Sequence, residues 1–157
     1  ILIIDKLSQA QAKKVKGISD ADNNDVPLTE TERNMLDEAD GKVLFMYLSG
    51  PMIFSVSKAI SRQHASIDDY RVMVLDLSDV PMIDVTVGLA LENAIKDALD
   101  ANCEVLLLCP NELTYEQLEK CNILDLVPLE KHCKSRTEAL AAALEHIQDK
   151  APVLAKN

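Results

Sequence analysis

The sequence predicts an α/β domain in which helices pack over a mixed, mainly parallel β-sheet. Three observations carry that reading. Short apolar runs recur, each bounded by turn-forming residues, and they read as buried strands. Between them lie segments whose apolar residues return at helical spacing. Strand and helix alternate along the chain, and that order builds parallel layers joined by helical crossovers. A chain of 157 residues has room for one such domain and little more.

Val43 to Leu48 is the first strand, opened by Asp40-Gly41 and closed by Gly50-Pro51. Val56, Ala59, Ile60, Gln63 and Ile67 then follow at helical spacing, before a turn at Asp68-Asp69 that faces water. Arg71 to Leu77 is the second strand. A helix is expected from about Thr86, with Val87, Leu91, Ile95, Ala98 and Leu99 on its inner face. Glu104 to Cys109 is the third strand, stopped by Pro110. Thr114 and Gln117 have the spacing of a capping box for a short helix carrying Leu118 and Cys121. Asn122 to Pro128 turns the chain into a last helix, which Ser135 and Glu138 cap and Leu140, Ala143, Leu144 and Ile147 line.

Charge divides the chain. Residues 1–17 hold four lysines against Asp5, a net of +3, whereas residues 18–40 hold eight acids against Arg33, a net of −7. The second zone has few apolar residues and reads as a solvated acidic linker. Residues 41–150 form the domain, and 151–157 a tail. The apolar stub Ile1 to Ile4, followed at once by lysines, reads as the cytoplasmic end of a membrane helix. A first residue that is Ile, not Met, fits a chain cut at that boundary.

Composition removes several functions. A net charge of −10 opposes binding to nucleic acid, which needs a basic face. Only 3 % of residues are aromatic and none is Trp, so stacking platforms for single strands are lacking. Cys103, Cys109, Cys121 and Cys133 include no C-x-x-C pair and read as free thiols of a reducing compartment. His64, His132 and His146 are scattered, and the His132-Cys133 neighbours are too little for a metal site. With four glycines and no phosphate-binding or nucleophile-elbow motif, neither a cofactor nor an enzyme is expected.

The informative stretch runs from Leu75 to Leu91. A strand ends at Leu77, a helix begins near Thr86, and two polar clusters lie between: Asp76, Ser78 and Asp79, then Asp84 and Thr86. The free N–H groups and partial positive charge of a helical first turn suit an acidic or phosphorylated partner. Equally, Thr86 serves as a plain N-cap while Asp76 and Asp79 fix the loop.

This stretch resembles the signature of STAS domains, the fold shared by anti-anti-sigma factors and the cytoplasmic tails of SulP anion transporters. The resemblance spans about Gly41 to Ile147 and includes the order of strands and helices. It implies a STAS-like sheet-and-helix layer in which Asp76, Ser78, Asp79, Asp84 and Thr86 form a regulatory, phospho-acceptor or partner-contact turn. Val85 and Val87 stand where anti-anti-sigma factors usually have Ser and Gly. Asp84-Val-Thr-Val is closer to the transporter branch, as is Gly50-Pro-Met-Ile-Phe54. Val87 to Asn93 is similar to cyanobacterial bicarbonate transporters of the BicA type.

That branch implies a regulatory and assembly domain without catalysis, at the cytoplasmic face of the plasma membrane. Its partners would be its own transmembrane domain and a second copy, with membrane contact only through the transmembrane part. Sodium-coupled bicarbonate uptake is the implied transport, with sulfate the other anion. The alternatives are a free-standing switch that binds a kinase partner through Thr86, or a small nucleotide- or anion-binding sensor.

Overall fold

A computed structural model describes residues 15–20, 25–52, 59–60 and 67–155, with side chains through residue 149. Five strands form one sheet in chain order: β1 (Val15–Ile18), β2 (Val43–Ser49), β3 (Val72–Asp79), β4 (Glu104–Leu108) and β5 (His132–Cys133). β1 pairs antiparallel with β2, and every other pair is parallel. The sheet is mixed and mainly parallel, as the sequence predicts.

The central strands are apolar on both faces because helices cover both sides. Leu44, Met46 and Leu48 of β2 share one core with Met73, Leu75 and Leu77 of β3 and with Val105 and Leu107 of β4. Their alternate neighbours, Phe45, Val74 and Leu108 among them, join the opposite core. The period of two in a strand makes this division. α2 (Val85–Asp100), α3 (Glu112–Glu119) and α4 (Ile123–Leu126) supply Leu91, Leu118 and Ile123 to the first core. α1 (Glu30–Glu38) and α5 (Arg136–Ala155) supply Leu36, Leu140 and Ala143 to the second.

The three strands read from sequence appear within a residue or two of their expected ends, and the two long helices start where expected. However, α5 runs on to Ala155, into residues read as a tail, and β1 adds a strand from residues read as preceding the domain. Asp68 and Asp69 sit exposed in a 3-10 turn, Ile67–Asp69. Of the helix expected around Val56 to Ile67, Ala59 and Ile60 are helical and buried, while Val56 and Gln63 lie outside the described residues. So does the apolar stub Ile1 to Ile4.

Three local expectations need correction. The acidic stretch read as a solvated linker carries α1, which packs on α5. Its apolar residues are few but well placed: Val26 and Leu36 are fully buried. A capping box starts the helix, with Glu32 N–H donating to Thr29 Oγ1 at 3.1 Å and Thr29 N–H to Glu32 Oε1 at 2.9 Å. Glu30 and Glu32 also face the positive end of the helix, so the acid content favours it there. Secondly, Leu99 is 37 % exposed, because it lies off the stripe made by Leu91, Ile95 and Ala98. Thirdly, Thr114 and Gln117 do not cap α3. Asn111 does, accepting from Thr114 N–H at 3.0 Å. The Ser135 and Glu138 cap holds: Ser135 Oγ accepts from Glu138 N–H at 3.1 Å, and Glu138 Oε2 from Lys134 N–H at 3.0 Å.

α2 lies very close to the corner between α3 and α4. A Cβ on Gly88 would stand 2.6 Å from Cys121 Sγ, so a side chain at residue 88 would have to displace that thiol. At the sheet's outer side, β5 pairs with Leu107 and Leu108 alone. There Glu104 holds Lys131 Nζ at 3.3 Å and His146 Nδ1 at 3.6 Å.

Candidate functional site

The turn between β3 and α2 is held from two sides. From the β2 side, Gly50 N–H donates to Asp79 O at 2.9 Å and Met52 N–H to Met82 O at 2.9 Å. Asp84 N–H returns a bond to Met52 O at 3.0 Å, completing a parallel bridge between Met52 and Ile83. Gly50 has φ +76°, which a glycine adopts without strain. From α3, Thr114 Oγ1 donates to Val80 O at 2.6 Å, and Gln117 Oε1 accepts from Ile83 N–H at 2.7 Å. Thus the two residues misread as a cap anchor the loop. Both face its backbone because they lie one turn apart on α3.

α2 is capped by Asp84, whose Oδ1 accepts from Val87 N–H at 2.8 Å. Thr86 is not the N-cap; it is the second helical residue and is exposed. Its reading as a plain cap is therefore corrected. Around it Met82, Val85 and Leu89 are exposed too, Val85 to 75 %.

Asp76, Ser78 and Asp79 form a separate cluster behind the turn. Asp76 is fully buried, on the sheet face that α5 covers. Ser78 donates to Asp76 Oδ1 through its N–H at 3.0 Å and its hydroxyl at 2.6 Å. Arg136, at the start of α5, donates from Nε to Asp76 Oδ2 at 2.8 Å and from Nη2 to Asp79 Oδ2 at 3.0 Å. Tyr47 on β2 donates to the same Asp79 oxygen at 2.5 Å, and the guanidinium sits 5.6 Å from the Tyr47 ring centroid. Next to Arg136, Thr137 Oγ1 donates to Glu32 Oε2 at 2.7 Å, tying α5 to α1.

The electrostatics follow from these contacts. Burial, then the hydrogen bond to Asp79 and its charge, push the Tyr47 phenol up to about 12. Burial works against the Arg136 charge, but the hydrogen bond and charge of Asp76, then the charge of Asp79, outweigh it and raise its pKa. Each Asp76 oxygen accepts at least one bond, so this carboxylate braces the end of β3. Tyr47 and Arg136 are the members that sequence reasoning misses. Arg136 leaves one trace: a basic residue in a helix's first turn opposes the dipole and needs a buried acid to justify it.

The four thiols are free, with Cys103 and Cys133 buried and the other two half-buried. Burial and the nearby Glu104 charge push Cys103 up to about 12, and burial takes Cys109 to about 11. Among the described residues no helix is long and apolar enough to cross a membrane.

Comparison with known proteins agrees with this architecture. The STAS domain family model matches residues 34–136. The bicarbonate transporter BicA of Picosynechococcus is 45 % identical over 144 residues, which is 92 % of this chain and 25 % of BicA. The chain thus spans about a quarter of the curated relatives it matches. The solved STAS domain of a SulP transporter from Vibrio cholerae superposes with a TM-score of 0.56 at 28 % identity, over 65 % of this chain and 80 % of that one. A Thermotoga maritima protein assigned as an anti-sigma factor antagonist shares the fold, with a TM-score of 0.55 at 20 % identity over 65 % and 87 %. By the span of that family model, and with the five-stranded sheet and the β3–α2 turn in place, this chain belongs to the STAS domain family.

Proposed function

We propose that this chain is the regulatory and assembly domain of a SulP-type anion carrier and performs no catalysis itself. The observation that carries this is the likeness to BicA along nearly the whole chain. In this reading the carrier takes up bicarbonate, coupled to sodium, with sulfate as the other anion. The domain sits at the cytoplasmic face and pairs with its own transmembrane part and with a second copy. The β3–α2 turn is its contact surface: braced from within, it displays Met82, Val85, Thr86 and Leu89 outward. An acid with both oxygens engaged, like Asp76, suits a brace better than a general base.

Deleting residues 15–157 from the parent protein tests the division of labour. The expected result is less carrier or slower uptake with the anion preference unchanged, because selectivity comes from groups lining the membrane path. A changed preference at unchanged expression overturns the proposal. A free-standing, kinase-binding switch is the competing reading, since its fold is the same. A run of hydrophobic spans encoded upstream of Ile1 decides for the carrier, and a start codon there for the switch.

A further inference from the structure

A cavity of about 490 Å³ opens where β4 and β5 end, well away from Asp76 and Thr86 in the sequence and built by other side chains. Carboxyl ends of parallel strands are where α/β sheets take ligands, and this volume lies in the range of small-molecule sites. Leu107, Pro110 and Leu129 give it apolar walls, and Leu129 is 76 % exposed at the rim. Tyr115 meets His132 edge to face, with ring centroids 5.8 Å apart. His132 Nε2 lies 2.8 Å from Val127 O, which places a proton on that nitrogen. The charged residue in the lining is Lys134, and among the described residues its ammonium makes no ion pair. Among the described residues no carboxylate lines this cavity, and Glu112, Glu116 and Glu119 line the separate hollow across Cys109, Pro110 and Tyr115.

We propose that this cavity binds a small amphiphilic carboxylate, its apolar body against Leu107, Pro110 and Leu129 and its head at Lys134. A bare inorganic anion is a poor match, because apolar walls replace none of its hydration. A neutral apolar molecule would leave the cation unused. The helix that brings Tyr115 to the cavity also carries Thr114 and Gln117 to the β3–α2 turn, so an occupant would rest on the element that holds that turn.

The probe is octanoate, titrated against the 157-residue chain and followed by calorimetry, with 1-octanol and acetate as comparators. Octanoate is expected to bind at least tenfold more tightly than either. Lys134→Met, at an exposed position, should abolish the preference over octanol while leaving octanol binding unchanged. A second readout needs no variant. Cys109 and Cys133 line the cavity and the half-buried Cys121 does not, so octanoate should slow alkylation of the first two several-fold and spare Cys121. Equal binding of octanol, equal binding of acetate, no effect of Lys134→Met, or unprotected Cys109 and Cys133 would each overturn the assignment.

Discussion

Arg136 and Asp76 stand sixty positions apart in the chain, yet Nε and Oδ2 meet at 2.8 Å. The pair joins the first turn of the last helix to the end of the central strand. Asp76 is wholly buried and Arg136 only partly, so the carboxylate depends on the guanidinium far more than the reverse. Removing one partner of such a pair leaves a charge without water or counterion.

Arg136→Leu should therefore lower unfolding stability by about 3 kcal/mol. Urea denaturation of the chain measures it. A loss below about 1 kcal/mol would mean that solvent reaches Asp76 and the pair is ordinary surface electrostatics.

The cap on α2 separates two neighbouring residues. Asp84→Ala should cost about 1 kcal/mol, the usual loss for an N-cap, whereas Thr86→Ala should cost almost nothing. The same denaturation series reads both. An equal loss from the two would return the cap to Thr86.

Gly88 and Cys121 give a prediction with its own control. Gly88→Ala places a methyl group on the Cys121 sulfur and should destabilise by about 1–3 kcal/mol. Adding Cys121→Ala should recover most of that. A double variant as weak as Gly88→Ala would show that backbone, not the thiol, sets the approach.

High pH should weaken the fold through Tyr47. Its phenol is held at about 12, above the 10.0 usual for a phenol in water, so the folded chain keeps that proton longer than the unfolded one. The stabilisation is complete below pH 10 and is lost as pH rises towards 12. Tyr47→Phe should flatten this part of the stability profile and remove the phenolate absorbance that emerges near pH 12. An unchanged late absorbance step would contradict the Tyr47–Asp79 bond.

Within the proposed carrier, Thr86→Glu should reduce uptake more than Thr86→Ala, because it sets bulk and charge among Met82, Val85 and Leu89. Uptake normalised to carrier amount is the measurement. Equal, negligible effects would leave the turn without a partner.

Strands and long helices were legible because each announces itself locally. Val43 to Leu48 is continuous apolar sequence between glycine turns, and Ser135 sits three residues before Glu138. α1 is overlooked although Thr29 sits three residues before Glu32: its apolar residues, Met35 and Leu36, are too sparse to register as a stripe. Only the finished sheet shows that Val26, Leu28 and Leu36 meet the core. The polar turn could be found from Asp76 to Thr86, but its mechanics could not. Tyr47, Thr114, Gln117 and Arg136 reach it from other elements, and no local pattern encodes contacts made across 32 to 60 positions.

The short β5 has a consequence for solubility. Strands as apolar as β2, β3 and β4 invite a foreign chain to add itself wherever an edge lies bare. β5 shields only the last two residues of β4. The outer edge of the other three, which pair with β3 on their inner side, has no strand neighbour among the described residues. At that rim the fold sets an ion pair, Glu104 with Lys131, and the His146 ring 3.6 Å from the same carboxylate, beside the 3-10 turn Leu129–Lys131 that packs on β4. An incoming strand would have to dislodge the turn and dehydrate that pair to gain three residues of ladder. Adding a strand there would thus cost the Glu104–Lys131 pair its hydration in return for a short ladder, which disfavours the sheet edge as a template.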